Sequence, residues 1–203
     1  YYRSPRPHDE IGLVAKRSWP RVGRCGWFTC WPLPASVGQR SAIMGAPRDQ
    51  AVTATVERVP VELLIEAYAN GRFPMAHADG ELYWHDPDPR SIFPLDLLVA
   101  DDRTERDLRT GKFRVSIDEA VEQVVRSCAD RSETWIDERM IASYVGLHQA
   151  GHAHSVEAWK GGQLVGGIYG VALGGAFFGE SMFHRANNAG KVVFHTLVRH
   201  LRE

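Results

Sequence analysis

The sequence predicts an α+β fold in which helices come first and an antiparallel sheet follows. Two observations predict it. Between residues 59 and 151 the apolar residues recur at helical spacing in several short segments. From His152 to Phe183 they alternate with a period of two, interrupted by turns at Gly161-Gly162 and Gly174-Gly175. Helical spacing returns at about Asn187 and continues to Glu203.

The helical part begins with one short helix and a turn-rich segment. Pro60 suits the first turn of a helix, and the Asn70-Gly71 pair suits its end because both residues tolerate the left-handed conformation. The stretch 73–90 contains Asp-Gly and Asp-Pro turn signals and more aromatic residues than a solvated loop needs. It is therefore expected to be either a binding loop or a structured cap on the core.

Three more helices are predicted before the sheet. The first covers 103–109, and Asp118 and Asp137 each precede an apolar stripe with helical spacing. Each aspartate is therefore expected to cap the helix that follows it. Cys128 lies within the first stripe, which favours a small buried side chain over a nucleophile.

The alternating part is expected to be an antiparallel meander of three strands, over 152–159, 163–173 and 176–183. Gly161-Gly162 and Gly174-Gly175 provide its two turns. Glycines 166, 167 and 170 interrupt the central strand, which indicates a bulge or the close approach of a ligand or a neighbouring backbone.

Composition excludes several classes of protein. The 203 residues contain 24 Lys and Arg against 25 Asp and Glu, so no global charge indicates a nucleic-acid binder. No apolar run reaches the roughly 18 residues that a membrane span needs. Three cysteines are too few for a disulfide scaffold and indicate a reducing, cytoplasmic compartment. The sequence has neither a GxxxxGK[ST] phosphate loop nor a GxSxG elbow.

Residues 1–43 differ from the rest of the chain. They hold seven Lys and Arg but two Asp and Glu, and the first methionine follows at Met44. We expect the native protein to begin at or after Met44. Residues 1–50 are then an extension outside the folded unit, either disordered or translated from upstream sequence.

No metal site is predicted. Cys25 and Cys30 form a single pair with only His8 nearby, and a structural zinc site needs four ligands. His152 and His154 share one face of a strand, but no third ligand stands at a suitable spacing along the chain.

Two groups of charged residues have both a structural and a functional interpretation. Glu180 lies in an aromatic sequence, where a carboxylate needs a partner. It is expected either to pair with Arg185 or Lys191 or to hold a cationic group of a substrate. A cationic set is either a solvated face or a contact with nucleic-acid phosphates. Its members are Arg103, Arg106, Arg109, Lys112 and Arg114.

Four stretches together resemble one family. They are ELLIEAYANGRFPMA, WHDPDPR, ETWID followed by GHAHSVE, and LVGGIYGVALGGAFFGESMFHRANNAGK. From about Val59 to Glu203 the sequence is similar to the leucyl/phenylalanyl-tRNA–protein transferases. The resemblance implies a small N-terminal cap domain over 57–90. It also implies a catalytic domain over 91–203 with the antiparallel-sheet fold of acyl-CoA N-acyltransferases (GNAT-like), incomplete at its C-terminal end.

The resemblance further implies an enzyme that moves Leu or Phe, and sometimes Met, from aminoacyl-tRNA to the N-terminal Arg or Lys of a protein. This addition marks the acceptor for degradation in the N-degron pathway. The implied partners are the 3′ end of the tRNA and the acceptor protein. Neither a cofactor nor a metal is implied, and we expect a cytoplasmic monomer.

Several residues receive roles by similarity. Glu180 contacts the basic N-terminal residue of the acceptor. Trp135 helps to form the wall for the terminal adenosine of the tRNA, and Met75 stands where many members have a second Trp. The resemblance also favours phosphate contacts for the cationic set. The pocket for the Leu or Phe side chain falls on three apolar residues: Ile168, Phe177 and Leu197.

The chain also departs from the family pattern. His184 and Gly190 stand where members usually have serines, and no DxQ motif follows Lys191. In the family the Asp and Gln of that motif orient the attacking amine and the ester. Two alternatives therefore stay open: a fragment that binds tRNA ends or basic N-termini without catalysis, and an acetyl-CoA-dependent N-acyltransferase. The second lacks the Q/RxxGxG/A loop typical of such enzymes.

Overall fold

The computed structural model describes residues 57–203 and the backbone of one strand, β1 (Ile11–Val14). The predictions for Cys25, Cys30 and Met44 lie outside the described residues. β1 falls within 1–50, where the sequence predicts an extension apart from the folded unit, yet this strand joins the sheet.

The predicted helices and the meander follow each other in the predicted order, and the α+β class is confirmed. The helices are α1 (Val61–Ala69), α2 (Asp102–Arg109), α3 (Val121–Ala129), α4 (Glu138–Gln149) and α5 (Ala189–Arg202). The strands after β1 are β2 (Phe73–Ala76), β3 (Leu82–His85), β4 (Ile92–Pro94), β5 (Arg114–Ile117), β6 (Ala153–Lys160), β7 (Gln163–Leu173) and β8 (Ala176–His184). Among residues 57–203, no helix has the length and apolar character needed to cross a bilayer.

Six strands form one sheet in the order β4-β1-β8-β7-β6-β5. The three strands β6 to β8 pair antiparallel with one another, which confirms the predicted meander. β5, which precedes α3 and α4 in the chain, pairs antiparallel with β6 at one edge of the sheet. β1 pairs antiparallel with β8 and parallel with β4. Gly174 adopts the left-handed conformation (φ +59°) that the tight turn between β7 and β8 requires.

The two faces of this sheet carry different cores, because successive side chains of a strand point to opposite sides. Tyr169 and Val171 of β7 contribute to a cluster with residues of α1, α3 and α4, which we call the first core. Ile168 lies in a second core on the other face, together with the apolar residues of α5.

β2 and β3 form a separate hairpin inside the turn-rich stretch 73–90. The sequence does not predict it, since each strand has only four residues and Pro74 lies in one of them. Phe73 and Ala76 are buried in the first core. The stretch is therefore a structured cap on the core, one of its two predicted interpretations.

One predicted helix cap is confirmed and one is wrong. The Asp137 carboxylate accepts a hydrogen bond from the Met140 N–H at 2.9 Å. Asp118 does not cap α3, because the N-cap position is Ala120. Asp118 adopts a left-handed conformation (φ +60°), and its carboxylate accepts a hydrogen bond from the Ser155 N–H at 2.8 Å instead. It therefore joins β5 to β6.

Candidate active site

Glu180 occupies a β-bulge between β7 and β8. Tyr169 lies opposite Ser181, whereas the next residue on β7, Gly170, lies opposite Gly179. Glu180 is thus the extra residue on β8. A bulge changes the direction of a side chain and is common beside active sites. The glycines of the central strand predict such a bulge, and the structure places it at Gly170.

Gly170 allows the two strands to approach at the bulge. A Cβ atom at this position would lie 2.1 Å from the carbonyl oxygen of Phe178 and 2.5 Å from the ring of Phe177. Because one of these contacts is with backbone, any larger residue would have to displace β8.

The carboxyl group of Glu180 is buried and bound by two phenols. The residue is 8% exposed. Tyr68 on α1 donates a hydrogen bond to Oε1 at 2.6 Å, and Tyr144 on α4 donates one to Oε2 at 2.7 Å. The two phenol oxygens are 3.0 Å apart, so the three groups form a triangle of polar contacts.

This triangle holds a different number of hydrogen bonds in the two protonation states of Glu180. Each tyrosine has one hydroxyl proton, so an ionised Glu180 receives two hydrogen bonds and the phenol–phenol contact has no proton. A proton on Glu180 completes the third bond. Burial raises the pKa of Glu180 to about 7, while the bonds from Tyr68 and Tyr144 and the charge of Arg90 oppose that rise. Glu180 therefore titrates near neutral pH.

The ion pairs considered for Glu180 are not formed. Arg185 pairs instead with Asp130 at 3.1 Å, and Lys191 pairs with Asp101 at 2.5 Å. The structural interpretation of Glu180 as half of a salt bridge with either residue is thus wrong.

Sequence reasoning missed three residues around Glu180: Tyr68, Tyr144 and Arg90. The two tyrosines stand on apolar stripes of α1 and α4, so their periodicity indicates only burial. A buried phenol needs a hydrogen-bond partner. That requirement, together with a buried carboxylate elsewhere in the chain, is the one signal that could have suggested the contact.

Trp135 and Met75 lie on the same side of the sheet as Glu180. Both are partly buried and pack against the first core. The Ala76 N–H donates a hydrogen bond to the Trp135 carbonyl at 3.1 Å, which joins the hairpin to the segment before α4. The Trp135 ring lies edge-on to that of Tyr144, with 6.5 Å between centroids. Only the Tyr144 ring thus separates Trp135 from Glu180 along this chain of contacts.

The three residues predicted to form the amino-acid pocket lie together, but on the opposite face of the sheet. They belong to the second core, and each is at most 6% exposed. The structure brings them to one another and not to Glu180 or Trp135. The three residues are Ile168, Phe177 and Leu197.

The predicted cationic set divides into two parts. Lys112 pairs with Asp107 at 2.8 Å, and Arg114 forms two bonds to Glu119 at 2.6 and 2.9 Å. These two cations thus form ion pairs with carboxylates of the same chain. The other three are exposed on α2 and form no salt bridge with residues 57–203: Arg103, Arg106 and Arg109.

A second polar cluster lies at the corner between β5 and β6. The donor atoms of Asp118, His148 and His154 lie within 4.8 Å of one another. The spacing of residues along the chain does not reveal this cluster. His154 Nδ1 lies 2.7 Å from a carboxylate oxygen of Asp118, and His148 Nδ1 lies 2.9 Å from the Ala153 carbonyl oxygen. These hydrogen bonds hold the corner together.

The thiol of Cys128 is a buried packing group, as predicted. The residue is 3% exposed, and burial raises its pKa to about 12. The thiol therefore stays protonated at neutral pH and is a poor nucleophile.

Comparison with known protein families gives matches over most of the described residues. The family model described as leucyl/phenylalanyl-tRNA protein transferase matches residues 92–203. The model for the N-terminal domain of the same protein matches residues 58–88. The two matched ranges include Glu180 and Trp135 in the first and Met75 in the second.

Curated relatives agree with these matches. A leucyl/phenylalanyl-tRNA–protein transferase of Gloeobacter violaceus is 51% identical over 142 residues, which are 70% of this chain and 74% of the relative. Those of Salinibacter ruber and Rubrobacter xylanophilus are 53% and 52% identical. The matched regions are 70% and 72% of this chain, and 63% and 77% of the two relatives. The chain belongs to the leucyl/phenylalanyl-tRNA protein transferases, a family of aminoacyltransferases.

Proposed function

We propose that this chain takes Leu or Phe, and also Met, from an aminoacyl-tRNA and joins it to the α-amine of a protein that begins with Arg or Lys. The product carries an N-terminus that directs the protein to degradation. The observation that supports this proposal most directly is the buried carboxyl group of Glu180, held at a bulge near an aromatic residue, Trp135.

The proposed reaction needs positioning more than activation. The α-amine attacks the carbonyl carbon of the ester, a C–N bond forms, and the ester C–O bond breaks. The ribose oxygen leaves and takes up a proton in place of the one that the amine loses. Because the ester is already activated, the protein has to orient the amine and stabilise the developing oxyanion. The proposal includes neither a cofactor nor a covalent enzyme intermediate.

Glu180 is the proposed site for the basic N-terminal residue of the acceptor. Its carboxylate offers a charge-assisted hydrogen bond to a guanidinium or an ammonium group. Tyr68 and Tyr144 fix the carboxylate from both oxygens. A neutral acceptor residue would cover this carboxylate without forming a charge-assisted hydrogen bond to it, which is unfavourable. The proposed site therefore selects acceptor proteins that begin with Arg or Lys.

Trp135 and Met75 are the proposed contacts of the terminal adenosine. Stacking of a base on an aromatic ring contributes about 1–3 kcal/mol, and a thioether also packs well on an aromatic face. The apolar residues of the second core are the proposed contacts of the transferred side chain. One methylene in such a pocket is worth about 1–3 kcal/mol, so discrimination among Leu, Phe and Met is incomplete.

The tRNA body is proposed to contact the exposed arginines of α2: Arg103, Arg106 and Arg109. Lys112 and Arg114 belong to the original set but are engaged in ion pairs. We also propose a GNAT-like fold for the catalytic domain, supported by the antiparallel strands β5 to β8 with helices on both faces. Action as a cytoplasmic monomer completes the proposal.

Transfer of labelled leucine from leucyl-tRNA tests this function. The acceptor is a protein that begins with Arg, and the matched acceptor begins with Ala and is otherwise identical. The relative from Gloeobacter violaceus serves as the positive control. Label on the Arg protein alone supports the proposal. Binding of leucyl-tRNA without transfer supports a non-catalytic binding protein, and calorimetric binding of acetyl-CoA supports an acetyltransferase.

A further inference from the structure

Arg90 lies between two aromatic rings near the candidate site. Its guanidinium carbon is 5.7 Å from the centroid of the Phe73 ring and 5.9 Å from that of Phe178. Its Nη2 donates a hydrogen bond to the carbonyl of Gly71, just beyond the end of α1. A cation over a ring face is held by the negative potential of that face. No role assigned so far uses this residue.

Two of these contacts connect Arg90 to the elements that hold Glu180. Phe178 precedes Glu180 by two residues on β8, and its ring packs against that of Tyr68, with 5.3 Å between centroids. Gly71 follows Tyr68 at the end of α1, and Tyr68 donates to Glu180 at 2.6 Å. Arg90 therefore contacts both the strand that carries the carboxyl group and the end of the helix that carries one of its donors.

Arg90 also supplies charge to this environment. Around Glu180 the titratable groups are Tyr68 from α1, Tyr144 from α4 and Arg90 from the segment after β3. Tyr169 from β7 packs against Tyr144, with 5.1 Å between ring centroids. The tyrosines are neutral at pH 7, so Arg90 provides the positive charge of this group. A nearby cation favours an ionised carboxylate that burial disfavours.

We infer that Arg90 is a positioning residue for the proposed acceptor site, where its charge favours the ionised form of Glu180 and its contacts hold Tyr68 in place beside it. This inference rests on the role proposed for Glu180.

Titration of the Glu180 carboxyl group tests the inference without any need for transfer activity. Side-chain carboxyls are labelled with ¹³C, and Glu180 is assigned by the resonance that Glu180→Gln removes. Arg90→Met deletes the charge but keeps a long side chain between Phe73 and Phe178. The matched control is Arg72→Met, which removes an exposed arginine that pairs with Asp86 at 3.3 Å.

Arg90→Met is expected to raise the pKa of Glu180 by about one unit, since removal of a nearby cation disfavours the ionised form. Arg72→Met should leave the pKa of Glu180 unchanged. In Arg90→Lys that pKa should lie between its values in wild type and in Arg90→Met. An unchanged pKa in a folded Arg90→Met protein overturns the inference. If Arg90→Met does not fold, the same comparison uses Arg90→Lys. The pKa of Glu180 in Arg90→Lys must then exceed its value in wild type.

The transfer assay separates this inference from the proposed function. The ratio of Arg90→Met activity to wild-type activity should be low at pH 7 and recover toward one near pH 9. A merely structural role would lower this ratio equally at every pH, and that result also counts against the inference. A raised pKa combined with no transfer by wild type contradicts the proposed function alone.

Discussion

Glu180 combines two properties that its neighbours determine: it is buried, and both of its carboxylate oxygens accept hydrogen bonds from phenols. If it binds the acceptor, Glu180→Gln removes a charge-assisted hydrogen bond worth about 1.5–3 kcal/mol. The KM for the Arg protein should rise about tenfold or more, while the KM for leucyl-tRNA changes less than about twofold. Steady-state kinetics with each substrate varied in turn provides the measurement.

Glu133→Gln provides a control for this substitution, since Glu133 is exposed in the segment that precedes Trp135. It removes the same charge from the surface and should leave both KM values unchanged. An equal loss of affinity for tRNA and acceptor in Glu180→Gln would show that Glu180 does not belong to the acceptor site.

The same residue should make stability depend on pH. The pKa of Glu180 is raised from 4.5 to about 7 in the folded protein, so between these values the folded state keeps a proton that the unfolded state releases. Its contribution to stability is complete below pH 4.5 and is lost as pH rises toward 7. Glu180→Gln does not titrate.

Urea unfolding of wild type and Glu180→Gln at pH 4.5 and pH 8 measures this effect. From pH 4.5 to pH 8 the free energy of unfolding of the variant should increase relative to that of wild type, because only wild type must bury an ionised carboxylate at pH 8. A constant difference would mean that the pKa of Glu180 is not raised. Such a cost in stability is common for groups that serve a function.

At the scale of elements, the bulge between β7 and β8 depends on the small size of Gly170. Gly170→Ala would place a Cβ atom 2.1 Å from the Phe178 carbonyl oxygen, so the strands must separate. We expect a loss of about 2–3 kcal/mol in the free energy of unfolding, as for other overpacked sites. Chemical denaturation followed by circular dichroism gives this value.

Gly190→Ala is the matched comparison in the first turn of α5. Its Cβ atom would meet the terminal methyl of Met182 at 3.0 Å, a flexible group that can move aside. Alanine also favours the helix, so the free energy of unfolding of this variant should rise by about 0.5–1 kcal/mol. The absence of a loss in Gly170→Ala would mean that the neighbours of the bulge relax as easily as Met182.

Local patterns predict most elements of this fold. β7 has the predicted bounds and β8 differs by one residue, because alternation and turn glycines are encoded within each strand. The hairpin of β2 and β3 has only four residues in each strand, too few to show an alternation. Asp118 stands near a helix start, but its carboxylate meets the backbone of β6, which follows only after two helices.

The candidate site is less predictable than the elements because its contacts join distant parts of the chain. Tyr68 and Glu180 are 112 positions apart, and Tyr68 and Tyr144 are 76 apart. Glu180 itself was predictable, since a carboxylate in an aromatic sequence requires an explanation. Its partners depend on how α1 and α4 pack on the sheet, and no periodicity within either helix specifies that arrangement.

For the whole molecule, the distribution of charge has to permit tRNA binding although the net charge is −1. A local cluster can supply this, because phosphate contacts act within about a Debye length of 8–10 Å. Arg103, Arg106 and Arg109 are exposed together on the outer side of α2. The buried side of the helix carries Thr104 and Asp107. The three arginines can therefore reach a ligand without disturbing the core.

Arg106→Glu tests whether this cluster binds phosphates, and Lys160→Glu changes the net charge equally at an exposed position at the end of β6. The KM for leucyl-tRNA is measured at several salt concentrations. Arg106→Glu should raise it several-fold at low salt and reduce the slope of log affinity against log salt by about 0.7–0.9 for each lost contact. Lys160→Glu should change neither quantity. If both variants behave alike, only overall charge matters and α2 is a solvated face, so the tRNA must be bound by the region around Trp135 alone.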